Sequence, residues 1–145
     1  MIALLQRVQH ANVTVDNRTI GEINKGILLF IGVEKNDNQE KANRLCERYL
    51  SYRVFCDEQN KMNLSVKDID GGVLLVPQFT LAADTRKGNR PSFSSAAPPD
   101  MGETLFDYIV STTIEQYARV ATGQFGADMK VSLLNDGPVT FWLQV

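Results

Sequence analysis

Asn135-Asp136-Gly137-Pro138-Val139-Thr140-Phe141-Trp142-Leu143-Gln144-Val145 is the stretch on which the fold turns. Before it, Met129, Val131 and Leu133 alternate with polar neighbours; within it, Val139, Phe141 and Leu143 do the same. A period of two marks strands with one buried face. Asp-Gly between two such runs predicts a tight turn and therefore a closing hairpin that begins near Ala127. Pro138 modifies this, because it donates no backbone hydrogen bond and pushes Gly137 towards extended geometry. Two readings of Gly137-Pro138 stand side by side. One is an ordinary turn whose proline opens the last strand, and spacing alone favours it. The other is a rigid, exposed pair of carbonyls held for a purpose. On either reading Val145 lies in a strand and the C-terminus is tied into the sheet.

Outward from this stretch the chain continues in strands. Ile2 to Val8 predicts a first strand, and Ala11, Val13 and Val15 alternate through a second, with His10 in a turn-like spot between them. Asp16-Asn17 is turn chemistry, Thr19 to Ile23 pairs back, and Lys25-Gly26 turns again. Ile27-Leu28-Leu29-Phe30-Ile31-Gly32-Val33 is an unbroken apolar run, as in a strand buried on both faces. Asp37, with Glu40 three residues on, predicts a capped helix start. Ala42, Leu45, Cys46, Tyr49 and Leu50 give that helix its apolar stripe. Arg53 to Cys56 fits a short strand. Val73 to Val76 is a buried strand that stops or bulges at Pro77. Leu81 to Pro99 is a long connection of the kind that is functional or mobile. Pro98-Pro99-Asp100 starts a second helix whose buried side is Leu105, Phe106, Ile109, Val110 and Thr113. The expectation is a mixed, mostly antiparallel sheet system with two helices, an α/β fold in which residues 1–145 form one domain.

Composition narrows the class. Hydrophobic content of 43% and charged content of 22% fit a soluble globular protein with its own core. No apolar run approaches the roughly 20 residues of a membrane span, and no signal peptide is visible, so a cytoplasmic location is expected. Cys46 and Cys56 are read as buried free thiols in a reducing compartment. The net charge of −2 argues against broad coating of nucleic acid but not against one local basic patch.

Absences narrow the chemistry. His10 is the only histidine, which leaves no ready Ser-His-Asp or Cys-His site. One histidine and two separated cysteines make no zinc site, and no glycine-rich phosphate loop occurs. What remains is a site of backbone groups and small polar side chains at Gln78-Phe79-Thr80, where a buried strand runs into a loop. N–H groups around Phe79 and Thr80 can form an oxyanion hole. The competing reading is that Gln78 and Thr80 only satisfy buried backbone groups. Arg86, Lys87 and Arg90 form the densest basic patch, for phosphate contact or for solubility.

The pairing of Gly-Pro in NDGPVTFWLQV with Gln-Phe-Thr-Leu in PQFTLAADT resembles the D-aminoacyl-tRNA deacylase family. The likeness runs through RPSFSSAAPPD and GQFGADMKVSL and covers essentially the whole chain. It implies a three-layer or barrel-like arrangement. It also implies hydrolysis of the ester joining a D-amino acid, or glycine, to the 3′-terminal adenosine of tRNA, without metal or organic cofactor. Gln78, Phe79 and Thr80 would then be catalytic. Phe125 and Met129 would line an adenosine pocket, where their alternative is ordinary core. Arg86, Lys87 and Arg90 would meet acceptor-stem phosphates. A cis Gly137-Pro138 would aim two carbonyls at the substrate ammonium and reject L-amino acids, reaching into the partner's pocket of a homodimer. The family usually has Ser before Gln-Phe-Thr; Pro77 stands there here, so a hydroxyl at that position is not essential. The rival function is a non-catalytic nucleic-acid-binding module of the same fold.

Overall fold

A computed structural model describes residues 1–145. In chain order its elements are strand β1 (Ile2–Val15), strand β2 (Arg18–Ile23), strand β3 (Gly26–Gly32), helix α1 (Gln39–Ser51), strand β4 (Phe55–Cys56), strand β5 (Met62–Leu64), strand β6 (Gly72–Pro77), helix α2 (Pro99–Gln116), strand β7 (Val120–Thr122) and strand β8 (Lys130–Gln144). A 3-10 turn, Phe79–Ala82, follows β6 directly.

β1 is the spine. Its first half pairs antiparallel with β3, its second half with β2, and β8 runs antiparallel along both halves. β3 pairs parallel with β6, and β6 parallel with β7. The two ends of this row meet. A Cβ on Gly21 of β2 would sit 2.5 Å from the Thr122 carbonyl oxygen of β7, so only glycine permits the approach. The sheet therefore curls into a nearly closed barrel, with β4 and β5 as a separate two-stranded hairpin. The mixed α/β architecture with two helices and a barrel-like sheet is as expected. The Asp16-Asn17 turn takes positive φ at both residues, 47° and 62°, which matches the twist of the β1–β2 hairpin.

Ile27–Ile31 explains why β3 reads as apolar throughout. Ile27, Leu29 and Ile31 pack against both helices, with Leu45, Tyr49, Leu50, Phe106 and Ile109. Leu28 points the other way, into a barrel interior shared with Val8, Val13, Leu74 and Val76. Each fully buried aliphatic side chain contributes about 1.5–3 kcal/mol.

Several expectations are corrected. The closing hairpin is absent: residues 130–144 are one strand on β1, and Asn135–Val139 is a bulge within it. Between the pairs Val8–Asn135 and Gln6–Thr140, β1 advances two residues while β8 advances five. The surplus leaves the sheet locally without reversing the chain, because β1 is long enough to pair on both sides of it. For the same reason the two N-terminal strands are one, and His10 is an exposed strand residue where the β1–β8 register slips. Asp37 does not cap α1. Asn38 does, its Oδ1 accepting from Lys41 N at 3.0 Å. Asp37 is drawn inward instead, where its carboxylate accepts from the Met1 ammonium at 2.7 Å and from Lys41 Nζ at 3.0 Å. Breaking one side of such a buried pair costs about 3–5 kcal/mol. α2 starts at Pro99, which suits the first helical position, so Asp100 lies inside the first turn. Of the two thiols only Cys46 is buried; Cys56 is exposed. Burial pushes the Cys46 thiol up, and the Tyr49 phenol beside it.

Candidate active site

β3 and β6 end side by side, and past their C-terminal ends opens a cavity of about 450 Å³. Its floor is Ile31, Val33 and Val76; its walls are Phe106 of α2 and Phe125 and Met129 of the segment before β8; Pro77, Gln78 and Phe79 stand at its rim. Two glycines shape it. A Cβ on Gly102 would lie 3.2 Å from the Phe125 ring, which is how α2 comes close enough for Phe106 to meet Phe125 at 6.5 Å between centroids. A Cβ on Gly123 would lie 2.7 Å from Met129 Sδ, and the Gln124 N–H donates to that sulfur at 3.3 Å. Phe125 and Met129 thus meet in one largely apolar cavity, within the size range of small-molecule sites. Asp128 is the only carboxylate on the lining, and Lys130 Nζ donates to both of its oxygens at 2.8 and 2.9 Å.

Gln78 leaves β6 with its N–H donating to the Ile31 carbonyl at 2.7 Å. That bond turns the chain into the 3-10 turn, where Leu81 N–H donates back to the Gln78 carbonyl at 3.2 Å. Phe79 and Thr80 open this turn, so their N–H groups have no acceptor within it. The Gln78 side-chain amide donates to the Thr80 hydroxyl. An amide is not a base at either end, so nothing there prepares Thr80 as a nucleophile.

Gly137 and Pro138 ride on the β8 bulge, exposed, and the bond between them is cis. They do not line the cavity of their own chain. Two residues hold the bulge. Arg7, 12% exposed, donates from Nε to the Asp136 carbonyl at 3.0 Å and from Nη1 to the Val54 carbonyl at 2.7 Å, and pairs with the Asp136 carboxylate at 3.3 Å. Asn135 Nδ2 spans the base of the bulge, donating to the Arg7 and Val139 carbonyls at 3.0 Å each. Sequence reasoning passed over Arg7, Asn135 and the Phe106 wall. The available signal was an arginine inside the apolar strand Ile2 to Val8, which a half-buried strand tolerates only with acceptors close by.

The basic loop divides. The Arg86 guanidinium grips Asp84 in a bidentate pair and holds its carboxyl well below the usual carboxylate range. Lys87 and Arg90 have no carboxylate partner and stand in solvent between Asp84 and Ser92, which pair across the loop at 2.8 and 3.0 Å.

The sequence profile described as D-Tyr-tRNA(Tyr) deacylase matches residues 4–144. The chain is 59% identical, over 145 residues and the full length of each, to proteins named D-aminoacyl-tRNA deacylase from Shigella dysenteriae serotype 1 (strain Sd197) and Escherichia coli (strain K12 / DH10B). Among solved structures, a c-Myc DNA unwinding element binding protein superposes with a TM-score of 0.96 at 36% identity, covering 100% of this chain and 99% of that one. A probable eukaryotic D-amino acid tRNA deacylase shares the fold, with a TM-score of 0.87 at 17% identity over 99% of this chain and 98% of that one. With the profile matched from end to end and identity at this level over full length, the chain belongs to the D-aminoacyl-tRNA deacylase family.

Proposed function

We propose that the protein hydrolyses the ester between a D-amino acid, or glycine, and the 3′-terminal adenosine of tRNA, while refusing L-aminoacyl esters, and that it does so in the cytoplasm. The observation that carries this is the largely apolar cavity of about 450 Å³ walled by Phe125 and Met129 with Gln78-Phe79 at its rim. The adenine packs between Phe125 and Met129. The ester carbonyl lies at the rim, where the Phe79 and Thr80 N–H groups stabilise the oxyanion that forms when water adds. The ribose 2′-OH, adjacent to that carbonyl, orients the water. The tetrahedral adduct then collapses with cleavage of the C–O bond to the ribose, and the proton given up by the water goes to the departing 3′-oxygen, leaving free amino acid and a tRNA 3′-OH. Selection falls to the bulge. In a homodimer it enters the partner's cavity, and the Gly137 and Pro138 carbonyls accept from the α-ammonium. With ammonium and ester both pinned, an L side chain strikes main chain and a D side chain points away. Glycine has no side chain to refuse. Pro77 at the rim leaves no place for a hydroxyl mechanism there.

Matched D-, L- and glycyl-tRNAs test the proposal. Release of D-amino acid and glycine with retention of the L-ester is expected; equal release of D and L, or none, removes it. A second reading, nucleic-acid binding without turnover, is favoured by the unpaired Lys87 and Arg90, and predicts salt-sensitive binding with no release. The loop itself has a separate expected outcome. Neutralising Lys87 and Arg90 together lowers the log–log salt slope of tRNA binding by about 1.5–2. Neutralising Arg86 alone changes it by less than about one, because Asp84 already holds that charge. Equal slopes in all three proteins assign the loop to solubility.

A further inference from the structure

Of the seven phenylalanines, only Phe79 and Phe93 are exposed, at 59% and 43%. They come from separate segments, yet their rings meet at 5.1 Å between centroids, tilted by 48°. Phe79 lines the cavity and Phe93 does not, so Phe93 lies on the outer side of Phe79. The segment carrying Phe93 is tied on both flanks. Before it, Ser92 pairs with Asp84; after it, Lys35 N–H donates to the Ser95 carbonyl at 3.1 Å and Ala97 N–H to the Val33 carbonyl at 3.0 Å. The ring is therefore held in place before anything binds. The same loop carries Lys87 and Arg90, and its one carboxylate is spent on Arg86, in a chain whose net charge is −2.

We propose that Phe79 and Phe93 form a stacking platform for the unpaired nucleotide preceding the terminal adenosine, so that the substrate is held at two successive bases. This rests on the function proposed above. A strand leaving the cavity crosses Phe79 and reaches Phe93, on the loop that also carries the exposed Lys87 and Arg90. Aromatic rings accept any base face, while local positive charge in an acidic chain selects a polyanion over an apolar peptide. Exposed rings on a loop with unpaired cations are the usual elements of single-strand binding.

The test compares two substrates, D-aminoacyl-tRNA and 3′-D-aminoacyl-adenosine, which lacks the preceding nucleotide. Phe93→Ala is expected to raise KM for the tRNA about tenfold more than KM for the nucleoside ester. Phe93→Tyr, which keeps the ring, restores the ratio. A second measurement does not need hydrolysis. In Phe93→Trp made together with Trp142→Phe, which leaves the new indole as the only one, fluorescence is expected to be quenched by a single-stranded RNA ending in CCA and not by adenosine alone. Quenching without deacylation by the wild type keeps the platform and removes the enzymatic reading. An equal KM change on both substrates, an unchanged ratio in a variant of native melting temperature, or no quenching overturns the platform. So does a Phe93→Ala protein whose sedimentation changes, which makes the ring a subunit contact.

Discussion

Gly137→Ala is expected to lower kcat/KM on D-aminoacyl-tRNA by about 100-fold, the scale of an ångström-sized misplacement, and to erode the preference for D over L. The new Cβ would lie 2.6 Å from Arg7 Nη2 and 3.0 Å from Val139 Cγ2. Gly137 also has φ of +121°, a conformation that side-chain-bearing residues rarely adopt. Arginine heads usually yield to a close contact by swinging away. This one cannot do so freely, because it would release the Asp136 and Val54 carbonyls together. The strain therefore falls on the bulge, whose carbonyls are the proposed selector. The bulge is an exposed excursion from a strand that pairs with β1 on both sides, so the sheet itself survives. The measurement is kcat/KM on matched D- and L-aminoacyl-tRNA, with a thermal melt as control. A variant that melts like the wild type and keeps its D:L ratio removes the Gly137-Pro138 main chain from selection.

The same bulge shows where sequence was legible and where it was not. Alternation placed Val131, Leu133, Val139, Phe141 and Leu143 on buried sides of their runs, and each is at least half-buried, the first two towards the barrel interior and the last three towards the helices. What alternation does not encode is whether the chain reverses between two runs. Asp-Gly is a turn signal only when the flanking strands pair with each other. Here both pair with β1, a choice set by β1's length of 14 residues, far away in sequence. The β1–β2 turn was legible because its partners are neighbours in the chain. Asp37 failed for a related reason: its local capping pattern is satisfactory, but a buried ammonium 36 residues away is a stronger partner than a backbone N–H at the surface. At the site, a buried strand ending in a loop drew attention to Gln78, Phe79 and Thr80 without separating a site from backbone satisfaction, and Phe125 and Met129 entered only through family likeness. Nothing local distinguishes them from core. What brings them to the rim of β3 and β6 is the pair of small residues, Gly102 and Gly123, that lets α2 and the β7–β8 segment close in. Arg7 stood out only as a charge inside an apolar strand, with nothing local to name its acceptor at Asp136, and Asn135 gave no signal because no turn pattern reveals the bulge it braces.

Thr80→Ala is expected to keep turnover within about tenfold of wild type, the loss of one hydrogen bond. On a substrate ending in 2′-deoxyadenosine, the unmodified protein is expected to lose about 10³-fold. The two results belong together, because they ask which hydroxyl acts. The Thr80 hydroxyl is engaged by the Gln78 amide, which neither takes a proton nor raises nucleophilicity. The remaining titratable groups are poorly placed. His10 is an exposed residue of β1, and Asp128 on the cavity lining is held by Lys130 with 87% of its side chain in solvent. Both sulfhydryls are elsewhere, Cys46 under α2 and Cys56 on the β4–β5 hairpin. A site furnished this way can position and stabilise charge, but it contributes no base of its own. The ribose 2′-OH is the one hydroxyl that arrives with the ester and sits next to its carbonyl, so on the proposed mechanism removing it removes the group that orients water, while the Phe79 and Thr80 N–H groups proposed for the oxyanion are untouched. Single-turnover rates at saturating protein separate this from weakened binding. If a folded Thr80→Ala protein is inactive and the deoxy substrate is still hydrolysed at near the normal rate, the side chain carries the chemistry and the substrate hydroxyl does not.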